Sequence, residues 1–372
     1  MATESGPAET EAGGILTIDL AAIVANWRAL RARAAPAEGA AVVKADGYGC
    51  GIDEVTGALA AAGCCTFFVA NLAEARRVRA IAADTTVYVL NGLLPGTAPA
   101  YAKESLRPVI GSRAELDEWN AYQVSTGWAG AAALHVDTGM NRLGFALDET
   151  ADLAASLGAQ PGIALVMSHF ACAEEEHPLN SRQMARFRKI RALFPQIPGS
   201  IANSSGIFLG AEAHHDLVRP GVALYGANPT PGRPNPMRPV VRLDARIVQT
   251  RDVATGETVG YGATWTARRP SHIAIISAGY ADGLMRAASA TDAHAGAEAI
   301  VAGQRCPFAG RISMDLIALD VTDVPTSEIR RSDLVTLIGE GIGVDDLAKR
   351  EGTIGYEVLT SLGRRYRRIY TS

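Results

Sequence analysis

At 372 residues, with 48% hydrophobic and 20% charged residues, the chain can bury one large core and a smaller one without covalent staples. A formal net charge of -4 and a pI near 6.0 argue against the basic footprint of a nucleic-acid-binding protein. The five cysteines, Cys50, Cys64, Cys65, Cys172 and Cys306, are odd in number and form no Cys-x-x-Cys. They fit reduced thiols in a cytoplasmic protein better than a disulfide framework or a thiolate zinc site.

Residues 1–13 are acidic and rich in Ala, Gly, Glu and Thr. They lack the basic start and apolar core of a signal peptide and are expected to be a disordered tail. No apolar run approaches the length of a membrane span.

From residue 14 to 236 short apolar runs alternate with longer Ala/Leu/Arg helical patterns. Strands are expected at 15–20, 41–45, 66–70, 86–90, 107–110, 133–137, 163–169, 200–203 and 217–222. Helical stretches are expected at 21–35, 53–62, 72–82, 113–124 and 181–194. Asp19, Asn71 and Ser112 suit N-caps, and Ser112-Arg113-Ala114-Glu115 fits a capping box. Strand–helix alternation implies a parallel sheet, and eight or nine units suit a (β/α)8 barrel. An open doubly wound sheet is the alternative.

The stretch from Asn228 to Pro236, with four prolines, reads as a linker. Beyond it, 237–372 reads as a mostly β domain, with strands at 240–250, 272–277, 317–321 and 334–338 and short helices at 344–350 and 353–362. The basic run from Arg364 to Arg368 reads as a solvated terminal face. His214-His215-Asp216 reads as a solvated loop, and no metal is expected.

A barrel's active site lies at the C-terminal ends of its strands. Those ends carry Lys44, Arg142, His169, Asn203-Ser204 and Arg219-Pro220-Gly221. Each is weak alone; their coincidence on one face is informative. Ser204 and Gly221 follow the last two strands, where such barrels often bind phosphate. Lys44 follows an apolar strand, and desolvation favours its condensation with an aldehyde. A phosphate site beside such a lysine suggests pyridoxal phosphate. Gly47-Tyr48-Gly49-Cys50-Gly51 brings its third glycine one position early for a dinucleotide fingerprint.

The chain resembles the alanine racemases. The motifs that carry the resemblance are Val43-Lys44-Ala45-Asp46-Gly47-Tyr48-Gly49, the run from Asp137 to Gly144, Ser168-His169-Phe170, Ala202-Asn203-Ser204 and Arg219-Pro220-Gly221-Val222. Further along come Gly260-Tyr261-Gly262-Ala263-Thr264-Trp265, Gly279-Tyr280-Ala281-Asp282-Gly283, the run from Gly310 to Asp315, and Tyr356-Glu357. The resemblance implies a cofactor barrel, a β domain and a head-to-tail homodimer that takes a small amino acid. It implies that Lys44 carries the cofactor, that Asn203 belongs to the cofactor site, and that Tyr48, Ser204, Gly221, Val222 and Tyr356 hold its phosphate. Arg219 would face the ring nitrogen. Arg142 and Met314 would take the substrate carboxylate, and Tyr280 and Tyr356 would narrow the entrance. Tyr261, Tyr280 and Met314 would come from the partner chain, and Lys44 and Tyr261 would be the two bases, with a line from Tyr261 through His169 to Arg219.

The sequence also departs from the family pattern at one position. Many members have a lysine seven residues before the arginine of the Asp-Thr-Gly-Met motif, and its carbamate pairs with that arginine. Here the position is His135, on which no carbamate forms. An anion, a water or another carboxylate is expected to orient Arg142 instead. The rivals on the same barrel are a serine or broad-specificity racemase and a zinc-assisted D-amino-acid dehydratase or aldolase. The last needs a His/Cys pair that Cys306 lacks. A non-catalytic cofactor-binding protein resembles the barrel alone.

Overall fold

The computed structural model describes the backbone of residues 3–157 and 162–372; residues 1–2 of the expected tail lie outside it. The chain divides into two compact units. One holds Ile23–Leu224 and Asn228–Met237, the other Met1–Ala22, Tyr225–Ala227 and Arg238–Ser372.

In the first unit seven parallel strands follow one another as Ala41–Val42, Thr66–Val69, Thr86–Val89, Arg107–Ile110, Ala132–His135, Ile163–Met167 and Gly199–Ser200. An eighth, Leu217–Val218, pairs in parallel with Glu38–Gly39, which leads into Ala41–Val42. The ring closes on one side through Ala40 N–H to Val218 O at 3.0 Å and Val42 N–H to Pro220 O at 2.9 Å. On the other side Asp216 N–H reaches Gly199 O at 3.0 Å and Arg219 N–H reaches Ala202 O at 2.9 Å. This is the (β/α)8 barrel expected from the alternation. Its strands read as continuous apolar runs because both faces are covered: Phe67, Phe68, Val69, Val87 and Val89 are all buried. The N-caps form as read, with Asn71 Oδ1 accepting the Glu74 N–H at 3.0 Å and Ser112 Oγ the Glu115 N–H at 3.4 Å. The capping box expected at Ser112 does not close, because the Glu115 carboxylate accepts from the Gly111 and Leu93 N–H groups instead of from Ser112 N–H.

The second unit is built on a nine-stranded sheet. Its long central strand, Val241–Val253, pairs antiparallel with Gly14–Asp19, Leu334–Ile338 and Ser271–Ile276. Ile317–Asp320 extends it beyond Ser271–Ile276, and Glu298–Val301 extends it beyond Leu334–Ile338. Glu298–Val301 and Gln304–Pro307 form a hairpin whose two-residue loop, Ala302 and Gly303, has φ of 46° and 79°. Two positive φ values in a two-residue loop match the right-handed twist of the flanking strands.

Three of the expectations do not hold. The stretch 15–20 does not open the barrel: Gly14–Asp19 pairs with Val241–Val253 and, in parallel, with Arg367–Thr371. Ile15, Leu16 and Ile18 are buried as a core strand requires, but burial does not name the sheet. Without this stretch, the nine candidate strands become the eight that the barrel uses. Residues 1–13 are not a disordered tail in their described part. Thr3–Ser5 pairs antiparallel with Arg367–Thr371, and Arg246 donates to Ala12 O at 3.0 Å and Glu9 O at 2.9 Å. The C-terminal basic run is a solvated face only at Arg364 and Arg365, which are exposed. Tyr366, Arg368 and Tyr370 are buried at alternate positions, as one face of a strand. Among the described residues no helix is long and apolar enough to cross a membrane.

Candidate active site

The barrel strands end in the residues that carry charge. Lys44, separated from Ala41–Val42 by Val43 alone, begins an unusual turn. Ala45, Asp46, Gly47, Tyr48 and Gly49 have φ of 54°, 54°, 63°, 51° and 79°. This is a full turn of left-handed backbone, closed by Gly47 N–H to Val43 O at 2.9 Å and Gly49 N–H to Ala45 O at 2.8 Å. Glycine enters that region freely. The Cβ-bearing residues Ala45, Asp46 and Tyr48 each resist it by about 1–2 kcal/mol. Lys44 is partly buried. Burial and the Arg142 charge lower its ammonium pKa, and the Glu74 carboxylate raises it in part. A lowered pKa enlarges the share of free amine, the form that acts as nucleophile and base.

Arg219, after the last strand, is buried and has no carboxylate partner among the described residues. It donates to Ser168 O at 2.6 Å, to Ser200 Oγ, and to His169 Nδ1 at 3.3 Å. Its guanidinium carbon lies 5.8 Å from the Phe68 ring centre. Burial brings its pKa down to about 9, so it is a cation at neutral pH. A guanidinium has no lone pair to offer, so His169 Nδ1 accepts and the ring proton sits on Nε2. Burial and the Arg219 charge hold His169 far below the usual imidazole range, in its neutral form. His135, at the end of Ala132–His135, is likewise kept neutral, at about 4, by burial and Arg219. Arg142 is exposed, and no carboxylate among the described residues pairs with it.

A second corner gathers Tyr48, Asn203, Ser204, Gly221 and Val222. Ser204 Oγ accepts the Gly221 and Ala223 N–H groups at 2.9 and 3.2 Å. Asn203 Oδ1 accepts the Gly206 N–H at 2.8 Å and shapes the turn after Ser204. A Cβ on Gly221 would lie 2.3 Å from Tyr48 Oη. Glycine is therefore the residue that lets the phenol reach this backbone. Two hydroxyls beside the start of a short 3-10 turn form a small, neutral, donor-rich corner suited to a phosphate.

In the β unit, Tyr261, Tyr280 and Met314 are 70%, 44% and 53% exposed, high for large apolar side chains. Tyr261 lies between Gly260 and Gly262, at φ of 79° and 76°, on the wall of a groove of about 850 Å³ that Arg311 and Leu316 also line. Tyr280 and Met314 share one corner: Tyr280 N–H donates to Ser313 O at 3.1 Å and Ala281 N–H to Met314 O at 3.0 Å. Asp282 accepts the Gly279 N–H at 2.9 Å. Arg365 bridges Asp282 at 3.2 Å and Asp315 at 2.8 Å, clamping both loops. Tyr356 is half-buried on Gly355–Ser361.

The alanine racemase N-terminal domain model matches residues 18–229, and the C-terminal domain model matches residues 240–370. The chain belongs to the alanine racemase family. It is 57% identical to alanine racemase of Methylobacterium nodulans over 362 residues, 96% of each chain. It is 50% identical to the catabolic alanine racemase of Mesorhizobium japonicum over 367 residues, 97% of this chain and 94% of that one. The crystal structure of alanine racemase from Bartonella henselae with covalently bound pyridoxal phosphate matches with a TM-score of 0.91 at 39% identity. That match covers 97% of this chain and 100% of the other.

In this alanine racemase family member Arg219 is held by the Ser168 carbonyl, inside a motif already singled out but with no role attached, and by the Ser200 hydroxyl, which carries no signal beyond its place in a strand. The His214-His215 pair is not solvated: His214 Nε2 donates to Ile207 O at 2.9 Å and His215 packs edge-on against Phe187. Among the described residues no group of three or more His, Cys, Asp or Glu is placed to hold a metal ion.

Proposed function

We propose that this chain interconverts L- and D-alanine in the cytoplasm, with pyridoxal phosphate held in the barrel and each site completed by a second copy of the chain. The observation that carries this is the strand-end set on one barrel: a partly desolvated Lys44, a buried cationic Arg219 that no carboxylate among the described residues pairs with, and the Tyr48–Ser204–Gly221 corner. None of the five cysteines is in a disulfide, which supports a reducing compartment.

Pyridoxal phosphate, when bound, supplies a conjugated ring that takes up the electron pair left as the substrate Cα loses its proton. Lys44 would hold it covalently. Tyr48, Ser204, Gly221, Val222 and Tyr356 would hold its phosphate, with Asn203 shaping the turn. The fit is favourable because the corner is lined by hydroxyl and amide groups and left clear by Gly221. Arg142, unpaired with any carboxylate in the barrel, suits the substrate carboxylate, aided by the Met314 backbone of the partner subunit.

Inversion at Cα needs one base on each face of a planar carbon. Lys44 serves one face. Tyr261 of the partner subunit serves the other, the lysine acting on D-alanine and the tyrosine on L-alanine. His169 Nε2–H, backed by Arg219, is the donor that would stabilise the phenolate. Tyr280 of the partner subunit and Tyr356 would narrow the entrance to a small side chain. Exposure of Tyr261, Tyr280 and Met314 supports an isologous partner covering them.

Complementation tests this reading. Lys44→Ala and Tyr261→Phe chains, each inactive alone, are coexpressed and purified. Random pairing gives one intact site in each mixed dimer, so activity returns to about a quarter of wild type. No recovery, with mixed dimers verified by mass, would mean that both bases belong to one chain. A second test addresses the phosphate corner. Gly221→Ala is expected to weaken pyridoxal phosphate at least about tenfold in a fluorescence titration, since the new methyl displaces Tyr48. Unchanged affinity would remove this corner from the cofactor site.

A further inference from the structure

Helix Leu72–Ile81 sends two side chains out of its own strand–helix unit. Glu74 Oε1 accepts the Ala45 N–H at 2.7 Å, and Oε2 accepts the Ala70 N–H at 2.8 Å. Arg77 donates from Nη1 to Asp46 Oδ1 at 2.7 Å and from Nε to Asp53 Oδ1 at 2.9 Å. Asp46 Oδ1 also accepts the Ile52 N–H at 3.2 Å, at the start of the next helix. The left-handed turn after Lys44 is thus gripped at its first peptide by a carboxylate and at its middle by a guanidinium. Both grips come from one helix face, since positions three apart are neighbours. Strained backbone of this kind persists only where its surroundings over-determine it.

We propose that Glu74 is a positioning residue for Lys44: through the Ala45 N–H it fixes the turn that presents the lysine and ties it to the neighbouring strand–helix loop. This rests on the reading of Lys44 as the cofactor-bearing lysine. Glu74 also acts on Lys44 by charge, since its carboxylate raises the lysine's proton affinity against burial and Arg142.

The barrel contains a built-in comparison. Glu115, the third residue of Arg113–Thr126, makes the same pair of bonds further round the barrel. Its Oε2 accepts the Gly111 N–H at 3.0 Å and its Oε1 the Leu93 N–H at 2.9 Å, again joining adjacent loops. In both cases the carboxylate passes over the N-cap peptide of its own helix and reaches the loop before it. Leu93 neighbours no lysine and opens no left-handed turn. If Glu74 were a loop staple alone, the two glutamates would behave alike.

The experiment uses full-length wild type, Glu74→Gln, Glu74→Asp and Glu115→Gln. Borohydride reduction of the wild-type protein with pyridoxal phosphate, followed by peptide mapping, first locates the modified lysine. The resolved apo chains are then titrated with pyridoxal phosphate by tryptophan quenching, and the covalent reaction is followed as a function of pH. Glu74→Gln is expected to weaken pyridoxal phosphate about tenfold or more and to move the pH midpoint of the lysine's reaction downward. Glu74→Asp keeps the charge but is one methylene too short to hold both peptides. It should weaken affinity while leaving the midpoint in place, and it serves also if Glu74→Gln does not fold. Glu115→Gln should lower the melting temperature about as much as the Glu74 variants and leave affinity and midpoint at wild-type values. Label on Lys44 with Glu74 and Glu115 variants indistinguishable in affinity overturns the positioning role and leaves the functional reading standing. Label on a different lysine overturns both.

Discussion

Tyr261→Phe is expected to leave D-alanine exchanging its Cα hydrogen with D2O while exchange of L-alanine falls by about a hundred- to ten-thousandfold, the range a positioned acid–base group contributes. In the two-base scheme proposed above, Lys44 would still serve the D face, and the L face would have lost its base. The phenol's ordinary pKa is about 10, so it acts as a base only where a donor stabilises the phenolate. In one chain Tyr261 is largely exposed, and no donor to its phenol is found among the described residues. The donor that fits is on the barrel: His169, with Nδ1 turned to Arg219 at 3.3 Å, keeps its proton on Nε2. Because burial holds this imidazole neutral, it offers a hydrogen bond and competes with the phenol for no proton at neutral pH. Proton NMR in D2O, started from each pure enantiomer, reads the two faces separately. Equal residual exchange of both enantiomers in Tyr261→Phe would sink the two-base scheme and leave one group serving both faces.

Most of this arrangement is legible in the sequence because barrel chemistry sits at strand ends and apolar runs locate those ends. Lys44, His169, Ser204 and Arg219 are found that way from the order of residues alone. What the pattern does not carry is partnership. The stretch 15–20 has the apolar content of a buried strand, and nothing in it distinguishes a barrel neighbour from Val241–Val253. Pairing is decided by contacts more than two hundred residues apart in sequence. The Arg364-to-Arg368 run reads as solvated because charge dominates it. The alternation of Tyr366, Arg368 and Tyr370 is the signal that marks a strand there. The turn after Lys44 is hidden for a different reason. Gly47 and Gly49 announce left-handed backbone, whereas Ala45, Asp46 and Tyr48 have intrinsic preferences that point away from it. A tertiary grip overrides them. Asn71 and Glu74 can be read as a cap and its third residue, but the destination of the glutamate's oxygens, Ala45 and Ala70, lies in a neighbouring loop that sequence does not bring near.

Arg219→Glu is expected to raise pyruvate formation from alanine by about tenfold or more per racemisation event while racemisation itself falls. The reason lies in what the wild-type side chain withholds. Buried among Ser168 O, Ser200 Oγ, His169 and the Phe68 ring, the guanidinium stays charged at neutral pH even with its pKa brought down to about 9. In the role proposed for it, it would donate a hydrogen bond to the ring nitrogen of bound pyridoxal phosphate without transferring a proton. A carboxylic acid in its place can transfer one, deepening the electron sink and favouring protonation away from Cα, the route to pyruvate. The same substitution removes the donor to His169 Nδ1, so the L-face base loses its support. Arg219→Lys keeps a cation with donors only, and it should retain the low pyruvate yield even where its turnover drops. Coupled lactate dehydrogenase reads pyruvate, and chiral chromatography reads racemisation in the same sample. An unchanged ratio of the two in Arg219→Glu, with the cofactor still bound, would show that reaction fidelity is set elsewhere in the site.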